Sequence, residues 1–177
     1  MDYKMNIAGL DRNLPLCKVT DDLYIAAFIL FNDVEITRAA ATELLKKAPE
    51  FDVIITAESK GIPLAYEMAR IGCRQYVVAR KGIKAYMTNP IKVEVKSITT
   101  DHIQTLYLSE EDCAMLKGKR ILIVDDVIST GESLSALEDL VHEIGGNVVG
   151  KAAVLAEGDA KDRTDIIYLE PLPLFFK

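Results

Sequence analysis

The sequence predicts an α/β fold, an open and mainly parallel sheet flanked by helices, with an antiparallel flap beside it. Three observations predict it. Strand and helix patterns alternate from Asp52 to Leu155 in the rhythm of βαβ units. The clearest strand, Ile121 to Val124, is apolar at every position, as a strand covered on both faces must be. Polar segments follow three of the strands and so gather on one edge, the carboxyl edge where open parallel sheets bind ligands.

The first fifty residues are the least regular. A helix is expected from Val34 to Lys47, ended by Pro49. Asp52 to Ala57 reads as a buried strand. Ile62 to Ile71 reads as a helix with Ile62, Ala65, Tyr66 and Ala69 on one face and Gly72 as its stop. Gln75 to Ala79 is a second strand. Lys92 to Val95 and Ile103 to Leu108 alternate like half-exposed strands around polar Ser97 to Asp101, the pattern of a flap with a mobile tip. Ser109 suits an N-cap, with Asp112 at the third helical position. Ile121 to Val124 is the third strand. Leu134, Leu137, Leu140, Val141 and Ile144 keep helical spacing up to Gly145-Gly146, and Asn147 to Leu155 is the fourth strand. No repeat or linker divides the chain, so one domain over residues 1–177 is expected.

Bulk properties narrow the function. The 177 residues are enough for a sizeable core, and the net charge of −6 argues against a nucleic-acid partner. It leaves room for a local basic pocket. Cys17, Cys73 and Cys113 are odd in number and widely spaced, which suits reduced thiols in a cytoplasmic protein. His102 and His142 lack metal-ligand spacing. The longest apolar run, Ile25 to Phe31, is too short to span a bilayer, and Met1 to Leu10 has no signal-peptide pattern, so no membrane partner is expected.

The informative stretch is Ile121 to Ser133, in which four aliphatic residues run into Asp125 and Asp126. Ser129-Thr130-Gly131-Glu132-Ser133 then opens a helix. A helix N-terminus leaves N–H donors unpaired and carries about half a positive charge. Ser129, Thr130 and Ser133 add hydroxyls, and Gly131 lets an anion approach the backbone, so the segment is a phosphate cradle. The two carboxylates repel a phosphate but suit the hydroxyls of a ribose beside it. They would also favour a sugar carbon that turns cationic. No Walker A pattern occurs. A receiver-type Asp-Asp strand would stand first, with about four more βα units after it, whereas 51 residues follow Asp126.

The stretch resembles the PRPP-binding signature of type I phosphoribosyltransferases. Thr56 to Ala65 is similar to the pyrophosphate loop of the purine branch, and Ala79-Arg80-Lys81 with Lys84 and Met87-Thr88 is similar to the segment that follows it in xanthine phosphoribosyltransferases and in the PRPP-sensing domain of a purine repressor. Glu170 to Phe175 looks like the end of some adenine phosphoribosyltransferases. The resemblance covers roughly residues 50–177. It implies a type I phosphoribosyltransferase fold, with residues 1–50 and 156–177 forming a small hood over the base.

The resemblance also implies roles. Ser129, Thr130, Gly131, Glu132 and Ser133 would hold the 5′-phosphate of PRPP, and Asp125 and Asp126 the ribose hydroxyls. Glu58, Ser59, Lys60 and Gly61, with Arg80, Lys81 and Lys84, would hold pyrophosphate. Mg²⁺ would bridge ligand oxygens, largely through water. The segment around Ser97 to Thr105 would close over the site, with Asp101 as the substitute for a catalytic Glu that adenine-specific relatives carry there. Many 6-oxopurine enzymes have a Lys just after the strand that follows the PRPP helix, whereas here Glu157 stands near that position and favours a base with an amino group. The implied activity is transfer to a purine, adenine favoured, in a cytoplasmic homodimer. The alternatives are transfer to xanthine, guanine or a pyrimidine, and a PRPP-sensing regulatory domain without catalysis. The intact Ser-Thr-Gly and the lack of a basic recognition helix in the first fifty residues favour the enzyme.

Overall fold

The computed structural model describes residues 2–96 and 103–177. Its centre is a five-stranded sheet built from β4 (Val53–Ala57), β5 (Tyr76–Ala79), β8 (Arg120–Ile128), β9 (Asn147–Glu157) and β10 (Ile167–Leu172), in the order β10-β9-β8-β4-β5. Every pairing in it is parallel. Alternate residues of the central strands serve two cores. Val53, Ile55, Ile121 and Ile123 pack with Leu137 and Leu140 of α4 (Glu132–Glu143). Ile54, Leu122 and Val124 pack with Leu64 and Met68 of α2 (Ile62–Gly72) and Leu44 of α1 (Val34–Lys47). Both faces are covered, which is why these strands are apolar throughout.

The helix expected at Ile62 to Ile71 is present, but its buried face is Leu64, Ala65, Met68 and Ala69, while Tyr66 is exposed. Ala65 and Ala69 of the expected face are buried, but the stripe is completed by Leu64 and Met68 rather than by Ile62 and Tyr66. Pro63 lies in the first turn, where a missing N–H is harmless, and Gly72 is the last helical residue rather than a stop beyond it. The helix start at Ser109 is as expected: Ser109 and Asp112 form a reciprocal capping box on α3 (Glu110–Leu116).

Residues 2–26 are more regular than their sequence suggested. They form β1 (Asp2–Ile7), β2 (Leu10–Lys18) and β3 (Leu23–Ala26), an antiparallel sheet completed by β11 (Leu174–Phe176) from the far end of the chain. Arg12 ties this sheet to the main body through Asp33, 2.7 Å away, and Glu35, 2.8 Å away, at the start of α1. The flap hairpin, β6 (Ile91–Lys96) and β7 (Ile103–Leu108), is antiparallel as expected. Its base is buried: Val93, Leu106 and Leu108 join the α4 core, and Arg80 exchanges backbone hydrogen bonds with Tyr107. The expected tip from Ser97 to Asp101, and Asp101 with it, lies outside the described residues. Among the described residues no helix is long and apolar enough to cross a membrane.

Candidate functional site

Because the sheet is parallel, the segments after β4, β5, β8 and β9 share its carboxyl edge. Glu58 to Gly61 follow β4 and carry a cis peptide between Glu58 and Ser59. Arg80, Lys81 and Lys84 follow β5. Asp125 and Asp126 belong to β8 itself, which runs four residues beyond its expected end at Val124 because β9 pairs alongside as far as Ile128↔Ala156. The carboxylates thus sit on a rigid ladder, not in the loop that follows.

Asp126 is buried, and its Oδ2 accepts no hydrogen bond among the described residues. Lys60 Nζ lies 3.3 Å from that oxygen, an ion pair that lacks hydrogen-bond geometry. The Asp126 backbone N–H donates to Asp125 Oδ1 at 2.8 Å. Burial, then the charge of Asp126, pushes the Asp125 carboxyl well above the ordinary range. Two acids thus stand side by side, and the Asp125 carboxyl resists ionisation.

Gly61 explains how the β4 loop approaches them. A Cβ there would lie 2.6 Å from Thr56 Oγ1 and 3.1 Å from Asp125 Oδ1, so only glycine lets the start of α2 close on β8.

Glu58 gathers the cations of the next segment. Its carboxylate accepts the Lys81 N–H at 2.8 Å and lies 3.2 Å from Arg80 Nε and 3.7 Å from Lys84 Nζ. The Lys81 hydrogen bond, with the charges of Arg80 and Lys84, holds the Glu58 carboxyl below its usual range. The Glu58 side chain therefore organises the basic segment and does not leave the work to its backbone alone.

Ser129 to Ser133 form the turn into α4. Gly131 is the N-cap, at φ 82°, and offers no capping side chain; Thr130 Oγ1 lies 3.4 Å from Glu132 N. The concave side of this turn, Asp125 and Val127 to Leu134, encloses a small cavity of about 50 Å³. Beside it a larger cavity of about 640 Å³ opens between Ser129, Thr130 and Glu157 on one side and, on the other, Leu23, Ile25 and Leu174 of the antiparallel sheet with Val19 of the β2–β3 connection. Burial raises the Glu157 carboxyl, against a smaller opposing effect of Lys60. Those apolar walls were missed in the sequence because the sheet that carries them was missed. Arg163, which lines the same cavity, was missed too. The available signal was a cation six residues after Glu157, close to the carboxyl edge.

The sequence matches the family model of the phosphoribosyl transferase domain over residues 32–170, more than half of the chain. The chain belongs to the phosphoribosyl transferase family. It is 33% identical over 113 residues to the purine biosynthesis transcriptional repressor of Bacillus subtilis, covering 64% of this chain and 39% of the repressor. It is 33% identical over 130 residues to a hypoxanthine/guanine phosphoribosyltransferase of Methanococcus voltae, covering 73% of this chain and 66% of that protein. The chain thus spans between about two fifths and two thirds of these relatives. The adenine phosphoribosyltransferase structure from Thermoanaerobacter pseudethanolicus superposes with a TM-score of 0.65 at 22% identity, covering 97% of this chain and 95% of that one. The fold is that of the type I phosphoribosyltransferases, as the sequence predicted.

Proposed function

We propose that this phosphoribosyl transferase domain is an enzyme of purine salvage. It transfers the 5-phosphoribosyl group of PRPP to a purine nitrogen, with adenine favoured, and releases pyrophosphate. One observation carries the reading: a carboxylate pair with Asp126 buried, the N-terminus of α4 and a cluster of cations meet on one sheet edge.

In this reading the turn Ser129 to Ser133 holds the 5′-phosphate on its N–H groups and hydroxyls. Asp125 and Asp126 accept from the ribose hydroxyls and favour the positive charge that develops at C1′ as its bond to pyrophosphate lengthens. Lys60, Arg80, Lys81 and Lys84 take the departing pyrophosphate, with Ser59 and Gly61 supplying backbone donors. The antiparallel sheet acts as the hood, its Leu23, Ile25 and Leu174 and the adjoining Val19 covering the base while Glu157 accepts from an exocyclic amino group.

Among the described residues no group of three or more His, Cys, Asp or Glu is arranged to hold a metal. Mg²⁺ needs no such cage: it takes one or two carboxylates and completes its shell with water and phosphate oxygens. Asp125 and Asp126, one with an unsatisfied buried oxygen, fit that demand through water. The ion would neutralise pyrophosphate charge.

The test is a panel of nucleobases with PRPP and Mg²⁺, followed by pyrophosphate release. Release with adenine at the highest kcat/KM is the expected result. Tight PRPP binding with no turnover on any base would sink the enzyme reading. It would leave the second reading, a PRPP-sensing regulatory domain, which the similarity to the Bacillus subtilis repressor favours.

A further inference from the structure

Arg163 stands over the phosphate turn in an unusual way. Its Nε and Nη2 donate to the two oxygens of Asp165, at 2.9 and 2.7 Å. The opposite corner of the guanidinium, Nη1, points at Gly131: a Cβ built on that glycine would lie 2.5 Å from it. Among the described residues Nη1 has no hydrogen-bond partner. Asp165 is held in its turn by Lys151, at 2.7 Å, which also pairs with Glu138 of α4 at 2.8 Å. Lys151 is largely buried, with 13% of its side chain exposed. A four-residue chain of charge from α4 through β9 to the 163–165 segment therefore fixes where Nη1 points.

A pair two residues apart on a surface is ordinarily worth little and positions nothing. Here the pair is anchored from behind by a buried lysine, and it uses only one edge of a five-donor fork. The donors left over face a turn that has hydroxyls and N–H groups but no cation of its own, since Ser129 to Ser133 contain none. Arg163 also lines the large cavity together with Ser129, Thr130 and Glu157.

We propose that Arg163 is the cation of the 5′-phosphate site, donating from Nη1 to a phosphate oxygen while Asp165 and Lys151 keep the guanidinium plane fixed. The proposal rests on the reading of Ser129 to Ser133 as the phosphate cradle. It divides the cations of the site in two: Lys60, Arg80, Lys81 and Lys84 serve pyrophosphate, and Arg163 serves the ribose phosphate.

Calorimetric titration of the whole chain with ribose 5-phosphate and, separately, with pyrophosphate and Mg²⁺ tests it. Arg163→Gln should weaken ribose 5-phosphate by at least about tenfold, the lower end of what one charge-assisted hydrogen bond is worth. It should leave pyrophosphate within about twofold. Asp165→Asn breaks the same ion pair but keeps the cation, and should cost ribose 5-phosphate less than about a third of the Arg163→Gln effect. The log–log salt dependence of ribose 5-phosphate binding should be shallower in Arg163→Gln and unchanged in Asp165→Asn. Equal losses in the two variants would reduce Arg163 to a structural ion pair and overturn the proposal. Undiminished binding in Arg163→Gln would overturn it too, with the cradle reading intact. Failure of the unaltered chain to bind ribose 5-phosphate at all would overturn the cradle reading first, and the role of Arg163 with it.

Discussion

Lys60 Nζ and Asp126 Oδ2 lie 3.3 Å apart, yet among the described residues that oxygen has no hydrogen bond, and Asp126 is only 3% exposed. A buried carboxylate oxygen without a hydrogen bond is a cost to the folded state. It persists here next to a second acid, Asp125, whose carboxyl is driven upward by burial and by its neighbour. That unmet oxygen is what the proposed ribose site would satisfy with a hydroxyl.

Asp126→Asn should therefore separate stability from function. The amide removes the repulsion and can donate to Asp125, and Lys60, half exposed, re-solvates. The ligand-free protein should gain roughly 1 kcal/mol in denaturant unfolding. Phosphoribosyl transfer should fall by about 100-fold or more. A destabilised variant would instead mark Asp126 as a structural acid.

The pH dependence of stability follows from Asp125. A carboxyl whose pKa is higher in the folded than in the unfolded state binds its proton more tightly when folded. Its contribution is complete below the unfolded value, about pH 4, and is lost as pH rises through the folded value. Thermal midpoints of the ligand-free protein should decline over that window, and Asp125→Asn should flatten the decline. An unchanged profile in the variant would show that Asp125 does not titrate there.

The parallel core was legible because its signal is local. Strands such as Ile121 to Val124 are apolar on both faces, and glycines or caps punctuate the helices between them. The strand limit at Asp125 was not legible, because charged residues suggest a strand end and only the pairing with β9 carries β8 on to Ile128. The antiparallel sheet hid for two reasons. Tyr3, Met5 and Ile7 do alternate, but the hairpin turns at Ala8-Gly9 with both residues at positive φ, where Asn-Gly is the recognisable sequence. Its fourth strand comes from Leu174 to Phe176, a pairing that no local pattern announces. With that sheet unseen, the apolar wall of the cavity could not be drawn. The turn from Ser129 to Ser133, by contrast, needs only contiguous residues.

Gly61 and Gly82 make a matched pair. A Cβ at Gly61 would lie 2.6 Å from Thr56 Oγ1 and 3.2 Å from the Asp125 Cα, whereas at Gly82 nothing lies within 4 Å. Gly61→Ala should cost about 1–3 kcal/mol through overpacking and move the start of α2 away from β8. Turnover should drop with it, because Lys60 moves as well. Gly82→Ala should change neither unfolding nor turnover. Equal behaviour of the two variants in urea unfolding would count against a tight approach at Gly61.

In the proposed reading, base preference turns on Glu157, at the end of β9. The carboxyl is half-buried and raised by that burial, so it gains from a hydrogen-bond donor across the cavity. An exocyclic amino group supplies one; a 6-oxo group presents an acceptor and leaves two acceptors facing each other. Glu157→Lys inverts the demand, since an ammonium can only donate. A site built to hydrogen-bond one substrate group discriminates strongly against a partner that cannot answer it. The ratio of kcat/KM for adenine over hypoxanthine should fall by at least about tenfold in the variant, one hydrogen bond to a charged group being worth that much. The steady-state comparison of the two bases decides it: an unchanged ratio with PRPP affinity intact would move the choice of base away from Glu157 and onto the hood.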